Sequence, residues 1–175
     1  IYNENEMKFY FNKVSPFKND DTEITMLIAD IQGIYYRKNN FNDLFVGITK
    51  YGNQENFIIK KKIITDWKIS EDKKMICGYE CYKASCLLKV DYGDNEINTL
   101  YPLTAWYCPQ LKYSYGPKGF GGLPGTILEL EQNLIIYTAV NINTEKASEK
   151  IAMPTDTKII TEAKMYDLFE ESTNK

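Results

Sequence analysis

Alternation between polar and apolar residues is the dominant pattern along this chain. Successive side chains of a β-strand point to opposite faces of a sheet, so the alternation predicts strands with one buried face. It is clearest in residues 81–90, where the even-numbered positions are apolar, and in residues 126–131, where two leucines lie on one face and two glutamates on the other. Most of the chain is therefore expected to form sheet.

Turn-forming residues divide this pattern into separate strands. Residues 70–72 and 91–96 have turn composition, and a glycine-rich loop extends over residues 109–125. Aromatic residues favour strands, and the chain has 14 Tyr and 8 Phe. The predicted strands cover residues 22–29, 34–37, 56–69, 74–90, 97–108, 126–131 and 134–141.

Helical spacing occurs only near the C-terminus. Met165, Leu168 and Phe169 have the i, i+3, i+4 spacing of an amphipathic helix, and Thr161 precedes them as a candidate N-cap. No linker, repeat or low-complexity segment divides the chain. The expected fold is mainly β (α+β class), with one antiparallel, curved sheet and a short C-terminal helix in a single domain of residues 1–175.

Composition excludes several classes of function. The chain has no histidine, which removes Ser/His/Asp triads, Cys/His dyads and His-liganded zinc. With 21 Lys+Arg against 24 Asp+Glu, it has no broadly basic surface for nucleic acid. Its longest apolar stretch, residues 134–140, is far shorter than the roughly 20 residues of a transmembrane helix. No nucleic-acid partner, transmembrane segment or cofactor is expected.

Two of the four cysteines are candidates for a disulfide. If the turn after residue 90 is centred on residues 94–95, paired residues have numbers that sum to 189, and Cys81 lies opposite Cys108 within disulfide reach. A turn centred on residues 93–94 would instead place Trp106 opposite Cys81. Turn preferences do not separate the two registers, so both stay open.

The other cysteines, Cys77 and Cys86, are expected to be free thiols, with Cys86 in the core. Cu(I) bound by cysteine and methionine sulfur is the alternative, since the chain has five methionines. However, the spacing of the first three cysteines on one extended strand sends their side chains to opposite faces, and the methionines are scattered. No metal site is therefore expected.

The glycine-rich loop of residues 109–125 is long enough to suggest a function. Tyr113, Tyr115 and Phe120 are its candidate contacts to a ligand or partner. The other interpretation is structural, with glycines that supply positive φ angles and aromatic rings that pack over one end of the sheet. The sequence leaves both interpretations open.

Acidic residues provide no convincing catalytic pair. Glu129 and Glu131 lie two positions apart on the polar face of a predicted strand. Carboxylates in such places usually only solvate the strand, and nothing else in the sequence combines an acid with a base. No catalytic residue is predicted.

A longer string in the loop resembles a known signature. Residues 120–129 (FGGLPGTILE) are similar to the segment that names the GLPGLI family of Bacteroidetes proteins, with Thr126 at a position that is usually Leu. Residues 78–84 (GYECYKA) and 105–107 (AWY) resemble two further elements of that family. Shorter matches in the same order are Trp67-Lys68-Ile69, Gly116-Pro117, Pro154 and Thr161-Glu162.

The resemblance implies an exported protein of the bacterial envelope, in the periplasm or at the outer membrane, whose signal peptide has been removed. It also implies a β-rich domain of unknown function with no known catalytic residue. Of the cysteines, only Cys81 lies on a family motif. Within the signature we expect Gly122, Leu123, Pro124 and Gly125 to be structural, with Leu123 buried and Gly125 where a side chain would clash.

A function is suggested only by analogy. An antiparallel sheet curved around an apolar interior is similar to the lipoprotein carriers of the periplasm. The leading hypothesis is therefore a non-enzymatic binding module for a hydrophobic small molecule or an envelope protein partner. A thiol-based Cu(I) or redox protein is the alternative, and a hydrolase, which would need a nucleophile activated without histidine, is a second alternative.

Overall fold

The computed structural model of the chain is built almost entirely of strands in its described part. Helical structure in that part is limited to a single 3-10 turn at Pro117–Gly119 and to residues 164–165. The prediction of a mainly β protein is therefore confirmed. The structure describes residues 1–2, 6–10, 33–38, 43–48, 57–62, 66–90, 99–132, 134–145, 151–161 and 164–165.

The described strands form two five-stranded sheets. The first contains, in spatial order, β1 (Glu6–Phe9), β2 (Gly33–Lys38), β3 (Asp43–Ile48), β4 (Phe57–Lys62) and β10 (Lys158–Thr161). The second contains β5 (Lys68–Ile76), β6 (Tyr79–Val90), β7 (Thr99–Cys108), β8 (Thr126–Gln132) and β9 (Ile135–Thr138). Neighbouring strands in both sheets pair antiparallel except β10 with β4, which pair in parallel.

The presence of two sheets corrects the prediction of one curved sheet. Residues 56–69 were expected to form one strand, but β4 ends at Lys62 and β5 begins at Lys68 in the other sheet. The residues between β4 and β5 include no glycine or proline that would indicate a break. The sequence pattern therefore predicted one continuous strand. The analogy with lipoprotein carriers depended on a single curved sheet and is not matched.

The first hairpin of the second sheet turns at a different place from the predicted one. Residues 70–72 lie inside β5, and the chain reverses at Cys77 and Gly78, which have φ angles of 49° and 81°. Two successive positive φ angles are typical of the type I′ hairpin turn. Residues 70–72 are polar because they lie in an exposed strand at the edge of the sheet, not because they form a turn.

The register of β6 and β7 follows the first of the two sequence alternatives. Tyr82 pairs with Tyr107 and Val90 with Thr99, so paired residue numbers sum to 189, as a turn centred on residues 94–95 requires. The predicted turn at residues 91–96 lies outside the described residues. The even-numbered face of β6 is the buried one, as the alternation indicated.

A β-bulge in β8 separates two leucines that were expected on one face. Trp106 pairs with Glu129 and Tyr107 with Ile127, which leaves Leu128 as the extra residue. Leu130 consequently packs on the inner side of the sheet, whereas Leu128 packs with Cys81 and Cys108 on the outer side. Simple alternation cannot reveal an inserted residue.

The predicted C-terminal helix is not matched. The Thr161 hydroxyl accepts a hydrogen bond from the Lys164 backbone N–H at 3.2 Å, as an N-cap would. Leu168 and Phe169 lie outside the described residues, as do the strand predicted at residues 22–29 and the turn residue Asn133. Within the described part, no helix has the length and hydropathy to cross a bilayer.

The main apolar cluster covers the inner face of the second sheet. It contains Ala84, Cys86, Leu103, Ala105, Tyr107, Phe120, Leu123, Ile127 and Leu130. The first sheet has its own cluster around Tyr35, Val46 and Ile59. Phe9 of β1 contacts Tyr137 of β9 with ring centroids 6.5 Å apart, so the two apolar sides meet there.

Candidate functional site

The glycine-rich loop of residues 109–125 connects β7 to β8 in the second sheet and also contacts the first sheet. Arg37 of β2 donates a hydrogen bond from Nη1 to the Gly119 carbonyl at 2.9 Å. Trp67, just before β5, donates from Nε1 to the Gly121 carbonyl, also at 2.9 Å. Gly119 packs so closely on Leu44 of β3 that a Cβ there would overlap the leucine side chain. The loop therefore holds the two sheets together through hydrogen bonds and packing contacts.

Two of the three predicted ligand contacts are buried in this loop. Tyr115 and Phe120 are 2% and 5% exposed, and Phe120 belongs to the main apolar cluster. Tyr113 is half-buried and packs edge-on against Tyr2, with ring centroids 5.5 Å apart. These positions favour the structural interpretation of the loop, and binding by these residues stays a prediction.

The Tyr115 hydroxyl is a buried polar group without a hydrogen-bond partner among the described residues. Burial raises the pKa of this phenol, and the nearby Arg37 guanidinium opposes the rise. The group is therefore a neutral phenol inside the protein at physiological pH.

The signature residues fit closely against the end of β7. Leu123 is 2% exposed, and the Gly122 N–H donates to the Ser114 hydroxyl at 2.7 Å. Gly125 has a φ of 154°, and a Cβ there would overlap the carbonyl oxygen of Cys108. Pro124 is exposed. The expected structural roles of Leu123 and Gly125 agree with this arrangement.

Thr126 occupies the position at which the resembled family usually has Leu. Its hydroxyl lies 2.7 Å from the Tyr113 carbonyl oxygen and 3.1 Å from that of Leu111. Its backbone N–H donates to the Leu111 carbonyl at 3.0 Å. The threonine therefore closes the base of the loop with polar contacts that a leucine side chain could not make.

The cysteines are distributed over both faces of the second sheet. Cys81 and Cys108 are buried together with Ile76 on the outer face, while Cys86 lies in the inner cluster. Cys77 is exposed in the first hairpin turn, with its Sγ 3.0 Å from the Ala139 carbonyl oxygen. Among the described residues, no three Cys, Asp or Glu side chains form a group suited to a metal ion.

Burial makes two of these thiols poor nucleophiles. It raises the pKa of Cys81 to about 11, with a further contribution from Cys108, and it also raises the pKa of Cys86 to about 11. A thiolate is the reactive and metal-binding form, so the raised pKa values make both thiols less reactive at neutral pH.

All four cysteines are free thiols in the structure. The register places Cys81 opposite Cys108, and the disulfide between them stays a prediction. Peptide mapping without reduction, on protein purified under oxidising conditions, would recover the two linked if it is right and both as alkylated thiols if it is wrong.

A cluster of charged and aromatic side chains occupies the outer face of the second sheet. Lys83, Trp106, Glu129 and Thr138 lie in one row across β6, β7, β8 and β9, because each is the register partner of the next. Lys74 of β5 joins them, with its Nζ 2.5 Å from Glu129 Oε1 and 4.4 Å from the Trp106 ring centroid. We call these five residues the outer-face cluster.

Each member of the outer-face cluster is held by another. Thr138 donates from Oγ1 to Glu129 Oε2 at 3.1 Å, so both carboxylate oxygens of Glu129 are engaged. The Lys83 ammonium lies 5.9 Å from the Trp106 ring centroid, on the margin of cation–π contact. The tryptophan is only partly buried. The cluster is therefore an ordered platform with an aromatic centre.

Exposed apolar residues continue from the cluster along the same face. Leu87 of β6 is 62% exposed and lies opposite the exposed Pro102 of β7. Leu100, two residues earlier on β7, is 55% exposed. Thr104 connects this apolar strip to Trp106 along β7.

Sequence reasoning missed this face because it classified Glu129 as a solvating residue. The β6–β7 register could have revealed part of it, because Lys83 and Trp106 are paired when the numbers of facing residues sum to 189. The contribution of Lys74 required the position of the first hairpin turn, which the sequence placed incorrectly.

One family model matches part of the chain. Residues 67–129 match a family described as a protein of unknown function (Porph_ging). This region contains β5, β6, β7, the loop and the start of β8, and therefore most of the outer-face cluster. No curated protein and no solved structure matches the chain.

Proposed function

We propose that this chain is an exported, non-enzymatic binding module of the GLPGLI type that docks a protein partner of the bacterial envelope. The docking surface is the outer face of β5–β9, formed by the outer-face cluster and the strip of Leu87, Leu100 and Pro102. The observation that carries the proposal is the ordered row from Lys83 to Thr138 with Trp106 at its centre. Its envelope location rests on the resemblance of residues 120–129 to the GLPGLI signature.

The composition of this face is that of a protein interface. Interface energy is concentrated in a few aromatic and basic residues, with apolar neighbours that exclude water. Trp106 supplies the aromatic residue, and Leu87 and Leu100 supply apolar area at 62% and 55% exposure. A small hydrophobic ligand needs a concave pocket instead, and the loop aromatics proposed for one are largely buried. A protein partner is therefore favoured.

The charges on this face define the partner's chemistry. Lys74 and Lys83 lie on the β5–β6 side of Trp106, whereas Glu129 and Glu131 lie on the β8 side. Because Lys74 and Glu129 pair with each other, a complementary partner places an acidic side chain near Lys83, a basic side chain near Glu131 and an apolar side chain on the tryptophan ring. The raised pKa values of Cys81 and Cys86 disfavour the thiol-based alternative.

Site-specific photo-crosslinking tests the location of the surface. A photoreactive residue at Leu87 is expected to cross-link one envelope protein, whereas the same residue at Met75, on the other face, is not. The two positions are matched, with exposures of 62% and 64%. Equal cross-linking at both positions would contradict the proposal.

Affinity measurements with the purified cross-linked protein test the chemistry. Trp106→Ala is expected to weaken binding by roughly tenfold or more, as an interface hot spot does. Lys83→Glu should also weaken it, while Lys73→Glu should not, because Lys73 lies on the opposite face over the Tyr82 ring. Folded variants that bind like the wild type at Trp106 and Lys83 would refute the proposal.

A further inference from the structure

The outermost strand of the second sheet, β9, has an unused hydrogen-bonding edge. The Ala139 N–H donates to the Leu128 carbonyl at 2.7 Å. Bonding direction alternates along an antiparallel strand, so Tyr137 also points its backbone groups towards β8. The N–H and C=O groups of Ile136 and Thr138 therefore point away from the sheet.

No described residue satisfies these outward groups. No backbone hydrogen bond from Ile136 or Thr138 to anything beyond β8 is found in the described part of the chain. Apolar side chains on β9 and just beyond its ends are also exposed, at 60% for Ile136, 95% for Leu134 in the preceding turn and 91% for Val140 in the bend that follows. An edge of this kind can accept another strand.

The opposite edge of the same sheet, β5, is protected. It has a β-bulge between Ile69 and Lys73, and bulges and charges on an edge prevent other strands from pairing with it. Five of its nine residues are charged: Lys68, Glu71, Asp72, Lys73 and Lys74.

The edge of β9 has neither form of protection. No charged residue lies between Glu131 and Glu145. No bulge interrupts its pairing with β8, which runs evenly from Glu129 with Thr138 to Gln132 with Ile135. An unprotected edge beside a protected one in a single sheet indicates that β9 is covered when the protein functions.

We propose that β9 is covered by a second copy of the chain, with the two β9 strands antiparallel about a twofold axis at Tyr137. Ile136 of each copy then faces Thr138 of the other, and Leu134 faces Val140. The outward groups of Ile136 and Thr138 satisfy each other across the axis. The β5–β9 sheets of the two copies then form one continuous sheet.

A second copy fits because the pattern is self-complementary. Every facing pair is uncharged, and each pair except Tyr137 with its own copy includes a β-branched residue, which suits cross-strand packing. A twofold interface requires one patch to complement itself, and this one does. The net charge of −3 creates little repulsion between copies. This inference goes beyond the proposed partner, which would use the outer face rather than the edge.

Sedimentation equilibrium over a wide concentration range tests the inference. The wild-type chain is expected to reach twice the mass of the 20.3 kDa monomer as concentration rises. Ile136→Lys should remain monomeric, whereas Leu87→Lys should dimerise like the wild type. These positions are matched at 60% and 62% exposure. A monomeric wild type, or equal sensitivity to both substitutions, would overturn the proposal.

Amide hydrogen exchange provides a readout that needs no substitution. Dimerisation should slow exchange at Ile136 and Thr138 by roughly tenfold or more as concentration increases. The Tyr137 amide, bonded to β8, should be protected at every concentration. Exchange at Ile136 and Thr138 that is independent of concentration, or that slows only when the outer-face partner is added, would refute the second copy as the occupant.

Discussion

The two faces of the β5–β9 sheet are built from the same strands but have different properties. The inner face is sealed by the loop of residues 109–125, and Leu103, Leu123 and Leu130 on it are almost completely buried. The outer face is partly open, with Trp106 between charged residues and Leu87 largely exposed. The loop, which has the composition of a binding segment, packs closely on the inner face, whereas the row that resembles a solvated surface is ordered and partly exposed.

The inner face is expected to determine stability, and the outer face is expected to determine recognition. Substitutions on the inner side should change the free energy of unfolding strongly, and substitutions on the outer side should change it little.

Gly125→Val should have the largest effect, a loss of about 3 to 5 kcal/mol in unfolding free energy. The new Cβ would overlap the Cys108 carbonyl oxygen, and the φ of 154° is unfavourable for a β-branched residue. Gly78→Val is the control, since its φ is 81° but no atom lies within 4 Å of a Cβ there. It should lose only about 1 to 2 kcal/mol. Equal losses in urea denaturation would contradict the close packing of the signature.

Leu123→Ala should be the next largest, at about 3 kcal/mol, because it removes a side chain that is only 2% exposed. Leu134→Ala removes the same atoms from a residue that is 95% exposed, and should change stability by less than about 0.5 kcal/mol. Both are measured by urea denaturation at low protein concentration. Comparable losses would mean that the loop is not anchored by Leu123.

The sequence predicted the features that depend on simple alternation. The even-numbered face of β6 and the extent of the loop followed from the spacing of apolar and turn residues, whereas the β6–β7 register was narrowed to two alternatives. These features are local, or join strands through one short connection. Their physical cause is the two-residue period of a strand, which any sequence displays directly.

Features set by the surroundings of a strand were not predictable. The division between β4 and β5 has no breaking residue, and residues 70–72 resembled a turn because β5 is exposed. The bulge at Leu128 shifts one residue to the opposite face. The candidate site was missed for the same reason, since Lys74 and Glu129 become neighbours only in the folded sheet.

The buried thiols should make stability fall at alkaline pH. The pKa of Cys86 is raised from 9.0 to about 11 by burial. Between these values the unfolded chain ionises while the folded thiol stays protonated, so the unfolded state is favoured as pH rises. In the reduced protein, Cys86→Ala should show a shallower decline than wild type over this pH range. Identical slopes for Cys86→Ala and the wild type would count against the buried thiol.

Neutralising Glu129 should have the smallest effect on stability. Glu129→Gln removes the charge paired with Lys74, whose side chain is 34% exposed against 17% for the glutamate. Because water can still reach the lysine, the expected loss is about 1 kcal/mol at low salt and less at high salt. Glu80→Gln is a matched control on the other face, where the pair with Lys73 is 49% and 47% exposed.

Both substitutions change the net charge equally, so their difference isolates the outer-face cluster. Glu80→Gln should change stability less than Glu129→Gln does at any salt concentration, because exposed ion pairs contribute little. Glu129→Gln should also free the Thr138 hydroxyl and loosen Lys74 over Trp106, which tryptophan fluorescence can detect. If the two variants respond identically to salt and Trp106 fluorescence is unchanged, the cluster is no more ordered than an ordinary charged surface, and the distinction between the two faces loses its main support.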